Sequence, residues 1–158
     1  MKFYLKPVLS VLALVVLFGY AGCGGGGGDP TPEDQVQLEK LSATWKVGSN
    51  GDVLLDNVSK KADYADFQLV ISGTPGATEF SYTRSGGPSL SPWPATGKWS
   101  FGSTISSQIV RDKGTNKQLD VQYSVTETTL ELTFSYNGAG EPKRTDKVTG
   151  QWVFKLTK

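Results

Sequence analysis

An alternation of apolar and polar residues starts at Thr44 and recurs to the last residue. It constrains the fold more than any other feature. Trp45 and Val47 alternate with Lys46 and Gly48; Phe67, Leu69 and Ile71 with Gln68 and Ser72; Phe80 and Tyr82 with Ser81 and Thr83. The same period runs through Trp99 and Phe101, through residues 119–125 and 130–136, and through Trp152, Phe154 and Leu156. Successive strand residues point to opposite faces, so each segment offers one face to a core and one to water. Residues 53–58 and 106–111 carry the pattern more weakly. Asn50-Gly51-Asp52 and Asp112-Lys113-Gly114 read as short hairpin turns, and Asn137-Gly138 opens a longer connection. Residues 59–64 read as a helical turn. Frequent strands without crossover helices predict an all-β, antiparallel, up-and-down barrel of about eight strands, with a β-sandwich as the alternative.

The residues before this region have a different grammar. Lys2 and Lys6 precede an apolar run over residues 8–18, followed by small residues to Gly22. That is the layout of an export signal. The run to Gly22 would make a helix of about 22 Å, short of the roughly 30 Å hydrocarbon layer, so an uncleaved membrane span is the weaker reading. Tyr20-Ala21-Gly22-Cys23 resembles the lipobox of bacterial lipoproteins. The resemblance implies cleavage before Cys23 and acylation of that residue; an ordinary signal followed by a free thiol is the competing reading. Each buried CH₂ of an acyl chain contributes about 0.8 kcal/mol, so several chains hold firmly where one is marginal. Gly24, rather than Asp, follows the Cys, which in this resemblance points to the outer membrane.

Gly24 to Gly28 is a run of five glycines with neither a strand before it nor a Lys-Ser/Thr after it, so it reads as a spacer and not a phosphate loop. Thr31-Pro32-Glu33-Asp34 then starts a short helix, with Thr31 as N-cap, Pro32 in the first helical position and two acids complementing the positive end of the dipole. Val36, Leu38 and Leu41 form its apolar stripe. The expected organisation is a signal over 1–22, a lipidated Cys with Gly-rich tether over 23–31, and a β domain over 32–158.

Three stretches of that domain resemble a known group. Leu41-Ser42-Ala43-Thr44-Trp45-Lys46-Val47 looks like the opening of a lipocalin-like domain, a short helix leading to a Trp on the first strand. Trp93-Pro94-Ala95-Thr96-Gly97-Lys98-Trp99-Ser100-Phe101 resembles a mid-domain signature of small lipocalin-like bacterial lipoproteins, and Gly150-Gln151-Trp152-Val153-Phe154 resembles their closing strand. The resemblance implies a small lipocalin-like barrel on a Gram-negative lipoprotein. Such a barrel is wide enough to be filled by side chains or to hold one small ligand.

Composition narrows the chemistry. The chain has no histidine and one cysteine, which removes His-assisted nucleophiles, His-bearing zinc sites and an intrachain disulfide. Sixteen basic against fifteen acidic residues leave no surplus for nucleic acid, and loss of Lys2 and Lys6 with the signal turns the net charge from +1 to −1. The close acidic residues Asp52, Asp56, Asp63 and Asp66 fall in expected turns, where Asp is ordinary turn chemistry. Lys60-Lys61 and Lys143-Arg144 read as solvated pairs. The expectation is therefore no catalytic residue, no metal and no cofactor.

Binding residues are sought among the aromatics. Trp93 lies between Pro92 and Pro94 in a proline-restrained segment, either as a rigid indole platform or, the favoured reading, as a plug in one end of the barrel. Trp45, Trp99 and Trp152 lie on the apolar phases of their strands, as core or as cavity lining. Tyr82, Tyr123 and Tyr136 share those phases, and each hydroxyl needs a partner if buried. The candidate ligand-contacting set is Trp93, Trp45, Trp99, Tyr82, Tyr123 and Tyr136. The expected partners are membrane lipid through Cys23, and a small apolar ligand or an envelope protein.

Overall fold

The computed structural model describes residues 31–138 and 148–158. The export signal, Cys23, the glycine run and the Lys143-Arg144 pair lie outside the described residues. Helix α1 (Glu33–Leu41) is followed by ten strands: β1 (Ala43–Lys46), β2 (Asp52–Leu55), β3 (Val58–Ser59), β4 (Gln68–Ser72), β5 (Phe80–Ser85), β6 (Thr96–Phe101), β7 (Gln108–Arg111), β8 (Leu119–Val125), β9 (Thr129–Tyr136) and β10 (Gly150–Thr157). All pairings are antiparallel. The order β1-β4-β5-β6-β7-β8-β9-β10 closes on itself through Lys46 opposite Thr157, making an eight-stranded barrel. The expected barrel is therefore the fold, and the sandwich is not.

Alternation sets which side chains fill the barrel. In β9, Leu130, Leu132, Phe134 and Tyr136 are buried while Glu131 and Ser135 are exposed. In β10, Trp152, Phe154 and Leu156 are buried. The longest ladder joins these two strands and sets Phe134 opposite Trp152, Leu132 opposite Phe154 and Leu130 opposite Leu156. Each such inward side chain contributes about 1.5–3 kcal/mol by leaving water.

Three local expectations need correction. Asn50-Gly51-Asp52 is not a hairpin turn: β1 and β2 do not pair with each other but run in the same sense along β10. Residues 47–51 bend one strand into two halves, and a Cβ at Gly51 would sit 1.9 Å from the Val47 carbonyl oxygen, so only glycine fits the bend. The tight turn lies instead at Asp56-Asn57, where φ values of 49° and 65° match a two-residue hairpin joining β2 to β3. Asp112-Lys113-Gly114 does begin a hairpin, β7 to β8, but the connection runs over residues 112–118. At the helix start, Pro32 is the N-cap and Thr31 is not, because Pro32 has ψ 142° and the helix begins after it. Its carbonyl accepts from the Gln35 and Val36 amides. The helical turn expected near residue 60 is a 3-10 turn over Lys61–Tyr64.

The ring has two ends. One carries α1, whose Leu38 and Leu41 are buried in the core. The Trp45 indole N–H donates to the Leu41 carbonyl at 2.8 Å and ties the helix to the first strand. Lys158 Nζ stands 5.1 Å over the same indole. The other end gathers the 86–95 connection, the 3-10 turn, the 112–118 connection and the start of β10.

Candidate functional site

Trp93 decides what the second end can do. Its indole is buried, packed against Tyr82 (ring centroids 5.6 Å apart), Phe134 (5.6 Å) and Phe154 (6.3 Å). It fills the barrel from that end and does not stand on the surface as a platform. The Arg111 guanidinium lies 5.1 Å over the ring and is itself only 1% exposed. Nη1 of Arg111 donates to the Pro92 carbonyl at 2.7 Å, which fastens the backbone beside the tryptophan. Nε donates to Asp112 Oδ2 at 3.2 Å.

Asp112 holds several elements together. It sits at φ 51°, a conformation that costs a non-glycine residue. Its carboxylate accepts from the Tyr82 hydroxyl (3.1 Å) and from the Lys98 amide (2.9 Å) as well as from Arg111. Gly97 makes this possible: it lies opposite Tyr82, and a Cβ there would fall 2.3 Å from the Tyr82 hydroxyl and 2.4 Å from Asp112 Oδ1. Burial raises the Tyr82 pKa well above that of a free phenol, with Arg111 opposing the rise. Burial lowers that of Arg111, with Tyr82 and Asp112 opposing.

Most of the remaining candidate aromatics stand apart. Trp99 packs against Phe80 (4.5 Å) and Phe101 (5.3 Å), and its indole N–H reaches the Ser81 carbonyl at 3.3 Å. The Tyr123 hydroxyl donates to the Ile105 carbonyl and lies 3.3 Å from Gln37 Oε1 of α1. Its pKa is raised by burial, then by Glu33. Tyr136 is buried opposite Gly150 and borders a cleft of about 460 Å³ with Ser135, Asn137 and Gln151. Of the six, the structure brings Trp93 and Tyr82 together, sets Tyr136 near enough to Arg111 to act on its charge, and places Trp45, Trp99 and Tyr123 at other stations. Trp45, Tyr82, Trp93 and Tyr123 line none of the five principal clefts among the described residues.

One cleft combines an aromatic floor with apolar walls. It opens at the Trp93 end, has a volume of about 510 Å³, and is bordered by Leu55, Tyr64, Pro88, Leu90, Val148 and Trp152, with Lys60 and Asp63 at its polar edge. Tyr64 and Trp152 are both buried, with ring centroids 5.9 Å apart. Behind them Phe154 meets Tyr64 (5.4 Å), Phe67 (5.2 Å) and Trp152 (5.8 Å), so the floor is backed by core. Three large apolar side chains among the described residues are exposed: Val58, Val70 and Leu90. Leu90 borders this cleft, and Val58 pairs with Leu55, leaving the hairpin on the face Leu55 presents to it.

Sequence reasoning did not single out Tyr64, Leu90 or Arg111. Tyr64 ends the expected helical turn and Leu90 lies in the segment singled out for Trp93, so position was the available signal for both. Of the acidic cluster, Asp52 accepts from the Val53 amide and the Ser59 hydroxyl, Asp56 from the Gln151 amide, and Asp66 from the Gly87 amide. Those three brace turns and strand ends, and Asp63 borders the cleft. Among the described residues, no three His, Cys, Asp or Glu side chains gather to hold a metal ion, and no helix is long and apolar enough to cross a membrane. No family model, curated protein or solved structure matches the chain.

Proposed function

We propose that this chain is an outer-membrane lipoprotein, anchored through acyl chains on Cys23, whose barrel domain binds a small apolar or aromatic ligand without chemical change. The observation that carries the ligand reading is the cleft of about 510 Å³ floored by Tyr64 and Trp152. Its volume lies in the range of small-molecule sites, and Leu55, Pro88, Leu90 and Val148 give it apolar walls. The barrel interior behind it is occupied by Trp93, Phe134 and Phe154, so the ligand sits at the rim and not along the barrel axis. The anchor rests on the Tyr20-Ala21-Gly22-Cys23 sequence and the glycine run after it.

Native mass spectrometry of the protein purified from its own membranes tests both parts. The expected spectrum carries the mass of a cleaved, acylated chain plus a non-covalent adduct that leaves on denaturation. Cys23→Ser is expected to lose the acyl mass and keep the adduct. An unacylated wild type removes the anchor, and a chain without an adduct removes the ligand.

A second reading, an accessory subunit of an envelope complex, is favoured by the exposure of Val58 (60%) and Leu90 (36%) at one end. Crosslinking in intact cells separates the two. A reproducible protein partner lost on Leu90→Glu supports the second reading.

A further inference from the structure

The largest of the five principal clefts among the described residues has a volume of about 650 Å³ and shares no lining residue with the cleft at the Trp93 end. It forms where β8, β9 and the end of β10 meet the 47–51 bend. Its lining is polar and open to water: Ser49, Asn50, Ser124, Thr128, Glu131 and Lys155 are all exposed. None of these side chains hydrogen-bonds or ion-pairs with another described residue. Elsewhere on the sheet such groups are used internally. Ser59 donates to Asp52 at 2.7 Å, Ser135 to Gln151 at 2.6 Å, and the Ser72 and Ser81 hydroxyls meet at 3.1 Å. Strand register puts three of the free groups in order. Ser124 lies opposite Glu131, and Glu131 opposite Lys155, so a hydroxyl, a carboxylate and an ammonium follow one another across three strands. Directly opposed residues have Cβ atoms about 4.5–5.5 Å apart. No ion pair within 4.0 Å nevertheless joins Glu131 to Lys155.

We propose that this cleft binds an uncharged saccharide, with two neighbouring ring hydroxyls bridging the Glu131 carboxylate and the Lys155 ammonium. It is a second site and does not depend on the apolar cleft. A hydroxyl both donates and accepts, so one of the pair donates to Glu131 while its neighbour accepts from Lys155. Hydrogen bonds to ionised groups are the stronger kind. Inserting the hydroxyls between two exposed charges costs little, because such pairs attract each other weakly in water. Ser124, Thr128 and Asn50 offer further donors and acceptors to the rest of the ring. Neutrality follows from the row itself. Lys155 lies opposite Glu131 on one side and Asp52 on the other, so the charges alternate and favour neither sign. Lys158, the other cation on the lining, stands over Trp45. Leu130 and Leu156 beneath the row are each 1% exposed and no aromatic side chain lines the cleft, so hydrogen bonds hold the sugar without stacking and the affinity is low.

The test is amide nuclear magnetic resonance of the isotope-labelled protein during titration with maltotriose and with mannotriose, which differ in how their vicinal hydroxyls are disposed. At least one is expected to give saturable shifts at Ser124, Glu131 and Lys155 with a dissociation constant of about 1 mM. The amides of Tyr64 and Leu90, at the other cleft, are expected to stay in place. The permethylated form of the same sugar keeps the rings, loses every hydroxyl donor and is expected to shift none of them. Glu131→Ala and Lys155→Ala, both at exposed positions, are each expected to weaken binding about tenfold and to leave the rest of the spectrum unchanged, the low end for a hydrogen bond to a charged group. Shifts from neither sugar at about ten times that concentration would overturn the proposal. Equal binding of the permethylated sugar, or full affinity in both variants, would overturn it as well.

Discussion

Arg111 carries a charge into a place that water does not reach, and what surrounds it explains why it stays. Its fork is shared between the Asp112 carboxylate and the Pro92 carbonyl, while its flat face covers Trp93. Removing one partner of a buried pair leaves the other uncompensated, which costs about 3–5 kcal/mol. Arg111→Ala is expected to lose that amount in urea denaturation and to loosen the 86–95 connection, seen as a weakened near-ultraviolet signal from Trp93. The buried phenols set a second expectation. Tyr64, Tyr82 and Tyr123 all have folded pKa values raised by burial above that of a free phenol, about 10. The unfolded chain therefore gives up these protons first. Stability is intact below about pH 10 and declines as pH climbs from there toward the folded values. Denaturant midpoints at pH 8, 10 and 11 check this, and a midpoint that rises over that interval would contradict it. Little of this was legible beforehand. Val110 and Arg111 are adjacent and both buried, so alternation does not fix the phase of β7, and Asp112 reads as a turn residue until its strand neighbours are known.

At the scale of the element, alternation was a sound guide wherever one face meets the core and the other meets water. All seven strong segments are strands, and the two weak ones overlap β2, β3 and β7. Turns were harder to read, because their geometry depends on strand pairing. Asn50-Gly51 has hairpin chemistry, yet both flanking segments pair with β10, a strand about a hundred residues further along the chain. Asp56-Asn57 lacks the glycine that usually marks such turns, but both residue types tolerate the left-handed region. A β-branched residue there does not. Asn57→Val is expected to cost about 1–2 kcal/mol in thermal or chemical unfolding, whereas Asn57→Gly is expected to be neutral or slightly stabilising. Equal effects from the two would mean that the hairpin does not hold its φ values in solution.

At the scale of the molecule, the question the sequence leaves open is whether the barrel is hollow. A filled barrel and a hollow one alternate in the same way, and the answer depends on where one connection puts one side chain. Trp93 comes from outside the strands, turns inward and meets Tyr82, Phe134 and Phe154, with Arg111 closing over it. At the opposite end Leu38 and Leu41 of α1 are buried in the core and Trp45 bonds back to the helix. The aromatic residues that the sequence leaves as core or cavity lining build the core, and the proposed binding surface moves to the rim at Tyr64 and Trp152. Methyl-labelled nuclear magnetic resonance during titration with a small apolar aromatic probe such as fluorene tests this most directly. Shifts confined to the methyls of Leu55, Leu90 and Val148, with Leu69, Val121 and Leu132 unmoved, are the predicted result. Ligand contacts at Leu69, Val121 and Leu132 would contradict it, because they would place the guest on the barrel axis where Trp93 and its neighbours are meant to leave no room.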